Sequence, residues 1–236
     1  MPSYKYVGDR GILVEFSPEI SYEVNEKVRG LDFALQKKKL RGIEEIIPTY
    51  RSLLILFDPR KIEREDIMSE IESTAASMQS MKFPDPRVVE IPVKYGGEHG
   101  PDLEFVASYN NLSPQEVIDI HTGGEYRVYM LGFTPGFPYL GGMSEKIATP
   151  RLDSPREKIA GGSVGIAGDQ TGIYPISSPG GWRLIGRTPL ELFSPAEKEP
   201  FLLEVGDILH FNAISAEKYR EINSRVKSGN FTVRIE

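Results

Sequence analysis

Cysteine is missing from all 236 residues, and that single absence removes disulfides, thiolate metal sites, thiol nucleophiles and redox switching at once. Long apolar runs are missing too. No segment approaches the roughly 18 continuous apolar residues of a membrane span, and the opening MPSYKYVGDRG does not resemble a secretion signal. The expected location is the cytoplasm, with no membrane partner. Positive charge is outnumbered, 28 Lys and Arg against 34 Asp and Glu, and the net charge of −6 argues against binding a phosphate backbone. The basic run Lys37, Lys38, Lys39 and Arg41 falls at the end of a predicted helix, where cations complement the dipole. No nucleic-acid partner is expected. The three histidines, His99, His121 and His210, lie far apart without metal-ligand spacing, so no metal site is expected. No G-x-x-x-x-G-K-[ST] occurs, so no P-loop holds ATP in this chain.

The first third alternates strand and helix signals. GILVEF (11–16) reads as a strand; Ser17 and Pro18 then supply an N-cap and a first helical proline ahead of Ile20, Val24, Val28, Leu31 and Leu35 at helical spacing. Gly42 ends that pattern, EEIIPTY and RSLLILFD read as two strands around a turn, and Ile67, Met68, Ile71, Ala75 and Met78 mark a second helix. The predicted order is β-α-β-β-α, a small ferredoxin-like α/β domain over 1–84. Proline-rich KFPDPR, between Met81 and Arg87, reads as a linker. Beyond it, over 85–236, VVEIPV reads as a strand, and Ser113, Pro114 and Glu116 form a capping box before a short helix ending near Gly123. From Glu125 to the C-terminal VRIE, short β-rich runs between turn clusters predict a barrel or sandwich, so the whole chain is read as α+β with two domains.

Over half of the chain's 23 glycines fall between Tyr126 and Thr188, a density that ordinary core strands do not need and that suits a binding-site wall. In GFTPGFPYLGG, Phe133, Phe137 and Tyr139 supply apolar surface, Thr134 a hydroxyl, and Gly136 room for close approach; an aromatic-filled barrel corner is the alternative. In SPGGWRLIGRT, an extended backbone places Arg183, Ile185 and Arg187 on one face beside the Gly180–Gly181 turn. Same-face arginines next to exposed backbone amides form a carboxylate or phosphate receptor; ion pairs with Glu191 or another acid are the alternative. Gln170 and Thr171 add neutral hydrogen-bonding groups, and Tyr126, Tyr129 and Tyr174 line the approach. Gly161, Ser163 and Gly165 satisfy G-x-S-x-G, but the three glycines that follow Ser163 in VGIAGDQTG will not sustain the helix a nucleophile elbow requires, so Ser163 is read as a turn serine.

VYMLGFTPGFPYLGG, ATPRL, GSVGIAGDQTGIYPISSPGGWRLIGRTP and the earlier IPVKYGGEHGPDLEFVA together resemble the allophanate hydrolase subunit 1 family, over about residues 5 to 213. That family includes KipI, an inhibitor of a sporulation kinase, and the B component of bacterial 5-oxoprolinase; a related unit forms the carboxyltransferase half of urea carboxylase. One departure is Ile159, Ala160, Gly161, Gly162 and Ser163, where the family usually shows Val-Pro-Ala-Gly-Ser.

The resemblance implies a small N-terminal α/β domain followed by a cyclophilin-like β-barrel. It implies a subunit, inactive alone, of an assembly that hydrolyses 5-oxo-L-proline to L-glutamate at the expense of ATP, with a subunit 2 or C-type partner and an A-type partner. ATP is the implied cofactor of the complex. In that setting Arg183 and Arg187 bind an anionic group, amides around Gly180 and Gly181 assist, Phe137 and Tyr139 shape the pocket, and His121 carries a proton; a surface or core histidine is the alternative for His121. The alternative function is a KipI-type inhibitor that docks a histidine kinase through the aromatic groove.

Overall fold

The computed structural model describes residues 2–77 and 85–235. They fall into two compact units, Met1–Asp85 and Pro86–Glu236. Met78 and residues 81–84, part of the expected second helix and linker, lie outside the described residues.

In the first unit the strands β1 (Ser3–Val7), β2 (Gly11–Glu15), β3 (Ile43–Pro48) and β4 (Ser52–Phe57) form one antiparallel sheet in the order β1-β2-β4-β3. Alternation along β4 sends Leu53, Ile55 and Phe57 to the same face as Ile12 and Val14 of β2. On that face pack α1 (Tyr22–Lys38) through Val28, Leu31 and Leu35, and α2 (Arg64–Ser77) through Ile67 and Ile71. The element order is therefore β-β-α-β-β-α. The leading strand β1 is the addition to the expected order; it takes the edge beside β2 that a strand closing after α2 would otherwise fill. Helix α1 also starts later than expected. Ser21, not Ser17, is its cap, accepting from Val24 N at 3.2 Å, while Ser17 accepts from Glu19 N in a local turn.

The second unit is a closed barrel. Its strands are β5 (Val88–Tyr95), β6 (Tyr126–Leu131), β7 (Pro138–Gly141), β9 (Ser163–Ala167), β10 (Gln170–Ile173), β12 (Arg183–Arg187) and β13 (Ile208–Ala213), arranged β10-β7-β6-β13-β5-β12-β9. A separate ribbon pairs β8 (Arg156–Ile159) with β11 (Ser178–Gly180). Val89, Ile91, Val93, Val164, Ile166, Ile185, Leu209 and Phe211 fill the interior, set inward by the period of two. Helices α3 (Leu103–Tyr109) and α4 (Pro114–Thr122) add Val106 and Val117 to that core. The α4 capping box forms as expected, Ser113 with Glu116, and Gly123 follows the last turn. The C-terminal segment is not all β: Ser215 caps a helix, α5 (Ala216–Lys227), that packs Ile222 against the barrel.

Candidate functional site

The strand β12 does not keep the regular alternation expected of it. Its pairing with β9 slips by one residue between Leu184 and Gly186, so the two arginines are not held to one face. Asp102, just ahead of α3, meets this bulge. Its amide donates to the Leu184 carbonyl at 2.9 Å and its carboxylate accepts from the Leu184 amide at 2.6 Å. The other carboxylate oxygen takes Arg156 at 2.9 Å. Arg183 then lies with its guanidinium carbon 3.7 Å above the Phe105 ring of α3, its Nε donating to the Pro150 carbonyl. Arg187 turns instead to Tyr219 of α5. The expected pair of same-face guanidiniums is thus corrected to two separate cations.

The expected aromatic wall is mostly shut. Phe137, Tyr174 and Trp182 pack edge to face with one another at 5.4 to 6.3 Å between centroids, and all three are buried. Tyr139 packs on this cluster from a half-buried position. Gly180 allows close approach, but what approaches is the Tyr174 ring, and the Gly181 carbonyl accepts from the Leu152 amide. Thr134 is half-buried with its hydroxyl oxygen enclosed, and Gly136 with φ 78° turns against Phe193 and Phe201. Phe133 is 67% exposed. Gln170 sits half-buried at the start of β10.

His121 is fully buried in the barrel, ringed by Tyr95, Tyr126 and Phe211. Its two nitrogens meet Tyr95 Oη and Thr171 Oγ1, and burial pushes its pKa down to about 3. A neutral, enclosed imidazole does not reach solvent, so the expected proton carrier is corrected to a core residue, and Thr171 to its partner. Ser163 opens β9 without a following helix; Asp207 pairs with Arg87 and His210 faces Glu90, so no hydrolase triad forms.

A cleft of about 400 Å³ opens elsewhere, where the Gly161–Gly162 turn meets Thr188 and α5. The turn is clamped by backbone: Gly162 N donates to the Tyr174 carbonyl at 2.7 Å, and Thr188 N donates to the Gly162 carbonyl at 2.9 Å. Gly162 adopts φ 80°, and a Cβ there would strike the Thr188 carbonyl, which explains glycine at this position. Pro175, Pro189, Leu190, Phe193 and Pro195 supply apolar lining, and Glu191, Ser194, Tyr219 and Asn223 supply polar groups. None of the expected pocket residues Thr134, Gly136, Phe137, Tyr139, Gln170, Thr171, Tyr174, Gly180 or Gly181 lines it.

Arg187 flanks this cleft. It stands across the strands from Ser163 on β9 and Lys94 on β5. Its Nε and the fully buried Ser163 Oγ have no hydrogen-bond partner, and among the described residues no carboxylate forms an ion pair with it. Burial raises the Tyr219 phenol, against the opposing charge and hydrogen bond of Arg187, so it is a neutral donor at pH 7. His99 stacks edge-on against Tyr219 at 4.5 Å. Burial, then the Arg187 charge, lowers its pKa. Sequence reasoning missed Tyr219 and Asn223 because they sit on α5, inside a segment that read as β.

The family model for the carboxyltransferase domain, subdomain C and D, matches residues 2–203. This chain belongs to the carboxyltransferase subdomain C and D family. A curated relative, the B subunit of 5-oxoprolinase from Bacillus subtilis (strain 168), is 49% identical over 223 residues, covering 90% of this chain and 93% of its own. Among solved structures, TTHA0988 matches with a TM-score of 0.80 at 37% identity, over 88% of this chain; the match spans only 41% of that longer one. The conserved uncharacterized protein PH0987 from Pyrococcus horikoshii is 47% identical over 92% of this chain and 100% of its own, with a TM-score of 0.55. The motif-based resemblance therefore stands. Of the cleft's walls, the Gly161–Gly162 turn and Thr188 lie within the matched residues and α5 follows them.

Proposed function

We propose that this chain is the B-type subunit of an ATP-dependent 5-oxoprolinase, a cytoplasmic assembly completed by A-type and C-type subunits. The supporting observation is the end-to-end correspondence with the B subunit of the Bacillus subtilis 5-oxoprolinase, 49% identical across 93% of that protein. The chain's contribution is a pocket for an anionic amide substrate, shared with a partner subunit and flanked by Arg187. An unactivated amide resists hydrolysis; ATP supplies the activation, and fixed donors stabilise the charge that develops. The absence of a P-loop is consistent with ATP binding on a partner subunit.

The kinase-inhibitor alternative asks for an open aromatic groove. Phe137, Tyr174 and Trp182 close on one another instead, which favours the enzyme reading. Co-expression with the A- and C-type subunits, each omitted in turn, tests it by ATP-dependent glutamate release from 5-oxo-L-proline. All three subunits should be required. Undiminished turnover without this chain, or none with all three present, overturns the proposal.

A further inference from the structure

We infer that the cleft between the Gly161–Gly162 turn and α5 receives the carboxylate-bearing lactam itself, with the Tyr219 hydroxyl as the donor to the carboxylate and Arg187 as the charge behind it. The inference rests on the 5-oxoprolinase reading and deepens it.

Charge comes first. Arg187 is half-buried, has no carboxylate partner among the described residues, and its Nε has no hydrogen-bond partner. Folded proteins rarely leave buried polar atoms unpaired, and such exceptions ask for a ligand or water. Glu98 contacts His99 at 3.7 Å from an exposed position, Glu217 lies near Arg220 and Lys94, and Glu191 lines the cleft without an ion pair to Arg187 among the described residues. Lys94 adds a second cation across the strand from Arg187, donating to the Tyr95 carbonyl at 2.6 Å. Arg187 and Lys94 thus place two cations beside the cleft.

Donor geometry comes next. The positive charge of Arg187 bears on the Tyr219 phenol, which stays neutral and lines the cleft, so its hydroxyl can donate to an acceptor there. Arg187 is thus a positioning residue and Tyr219 the contact. Shape and valence then select the ligand. Pro175, Pro189, Leu190 and Phe193 suit a saturated five-membered ring, and the Asn223 amide offers both a donor and an acceptor to a lactam C=O and N–H. Glu191 in the lining disfavours a dianionic phosphate relative to a monoanionic carboxylate.

The test uses the assembled complex, reading KM for 5-oxo-L-proline against kcat. Tyr219→Phe removes one oxygen and should raise KM about tenfold, the worth of one hydrogen bond to a charged group, while kcat stays within about threefold. Arg187→Met should raise KM at least as much, and Arg187→Lys should recover part of the loss. The same ring without the carboxylate, 2-pyrrolidone, should not compete with 5-oxo-L-proline, and inorganic phosphate should compete poorly. Thermal unfolding of each variant separates folding from binding; if Arg187→Met fails to fold, Tyr219→Phe decides alone. Unchanged KM in Tyr219→Phe, or equal competition by 2-pyrrolidone or phosphate, overturns the inference while leaving the 5-oxoprolinase reading intact. An assembly with the unaltered chain that turns over no 5-oxoproline overturns both.

Discussion

The Tyr95 hydroxyl lies 2.7 Å from Nδ1 of His121, at one end of a buried chain that continues from Nε2 to Thr171 Oγ1 at 3.0 Å and from there to the Gly165 carbonyl at 3.0 Å. The Gly165 carbonyl can only accept, so Thr171 donates to it and its oxygen accepts from His121 Nε2–H. That fixes the neutral tautomer, with Nδ1 accepting from Tyr95. The barrel interior thus carries a fully paired polar thread connecting α4 to strands β5, β9 and β10.

This thread makes stability depend on acid. The folded imidazole titrates at about 3 and the ordinary value is 6.5, so between those limits the unfolded chain holds the extra proton. The contribution is intact above about pH 6.5 and is lost as pH falls toward 3, by about 5 kcal/mol at most. Urea unfolding of His121→Gln at pH 7 should show a loss of about 2–4 kcal/mol, and its stability should decline less between pH 6.5 and 4 than that of the unaltered chain. An equally steep acid decline in the variant sinks this assignment.

Asp102 should be as important to β12 as any strand residue. Its carboxylate is buried and serves both the Leu184 amide and Arg156. Asp102→Ala leaves the Leu184 amide unsatisfied and removes the ion-pair partner of Arg156, and should cost about 3 kcal/mol in chemical denaturation. Hydrogen exchange at the Leu184 amide should accelerate; continued protection there would show that another group holds the bulge.

Phe133 adopts φ 65°, a left-handed conformation strained for an aromatic residue, and it is mostly exposed while touching Phe137 edge-on. Phe133→Gly should raise stability by roughly 1 kcal/mol through relief of that strain. Urea unfolding of the variant beside the unaltered chain reads that gain. A loss of stability on substitution would show that the conformation is not strained.

Arg87 clasps the buried Asp207 carboxylate with two bonds, 2.8 Å from Nε and 2.6 Å from Nη2, while the Glu204 amide adds a third at 2.7 Å. Removing the cation strands the carboxylate, so Arg87→Met should cost about 3–5 kcal/mol. The double variant Arg87→Met with Asp207→Leu should recover much of it. A double variant no better than the single one would assign the loss to packing of the Arg87 stem.

How legible all this was in the sequence depends on how local the cause is. The α4 capping box and the strand at VVEIPV are written in neighbouring residues, and both form as expected, the strand running on to Tyr95. The motif string from Val128 to Pro189 carried the family. What escaped was set by distant partners. Ser17 and Ser21 are equally good caps by composition, and packing of Val28, Leu31 and Leu35 on the sheet chooses between them. The bulge at Ile185 is stabilised by Asp102, more than 80 residues away in sequence. The period of two places Arg183 with Arg187; a remote carboxylate separates them. Glycine density suggests ligand access, whereas at Gly180 the backbone yields to Tyr174.

Strand β13 runs parallel to β5 and sits between it and β6, with residues from Ile208 to Ala213 beside those from Val88 to Val93. The barrel's earliest strand therefore waits for its last. On the ribosome, β5 and β6 emerge with the slot between them vacant, and the cylinder cannot shut until the chain through Ala213 has cleared the exit tunnel. Closure of so wide a loop is slow compared with local hairpins, leaving a window in which a chaperone, or another chain's strand, competes for that slot.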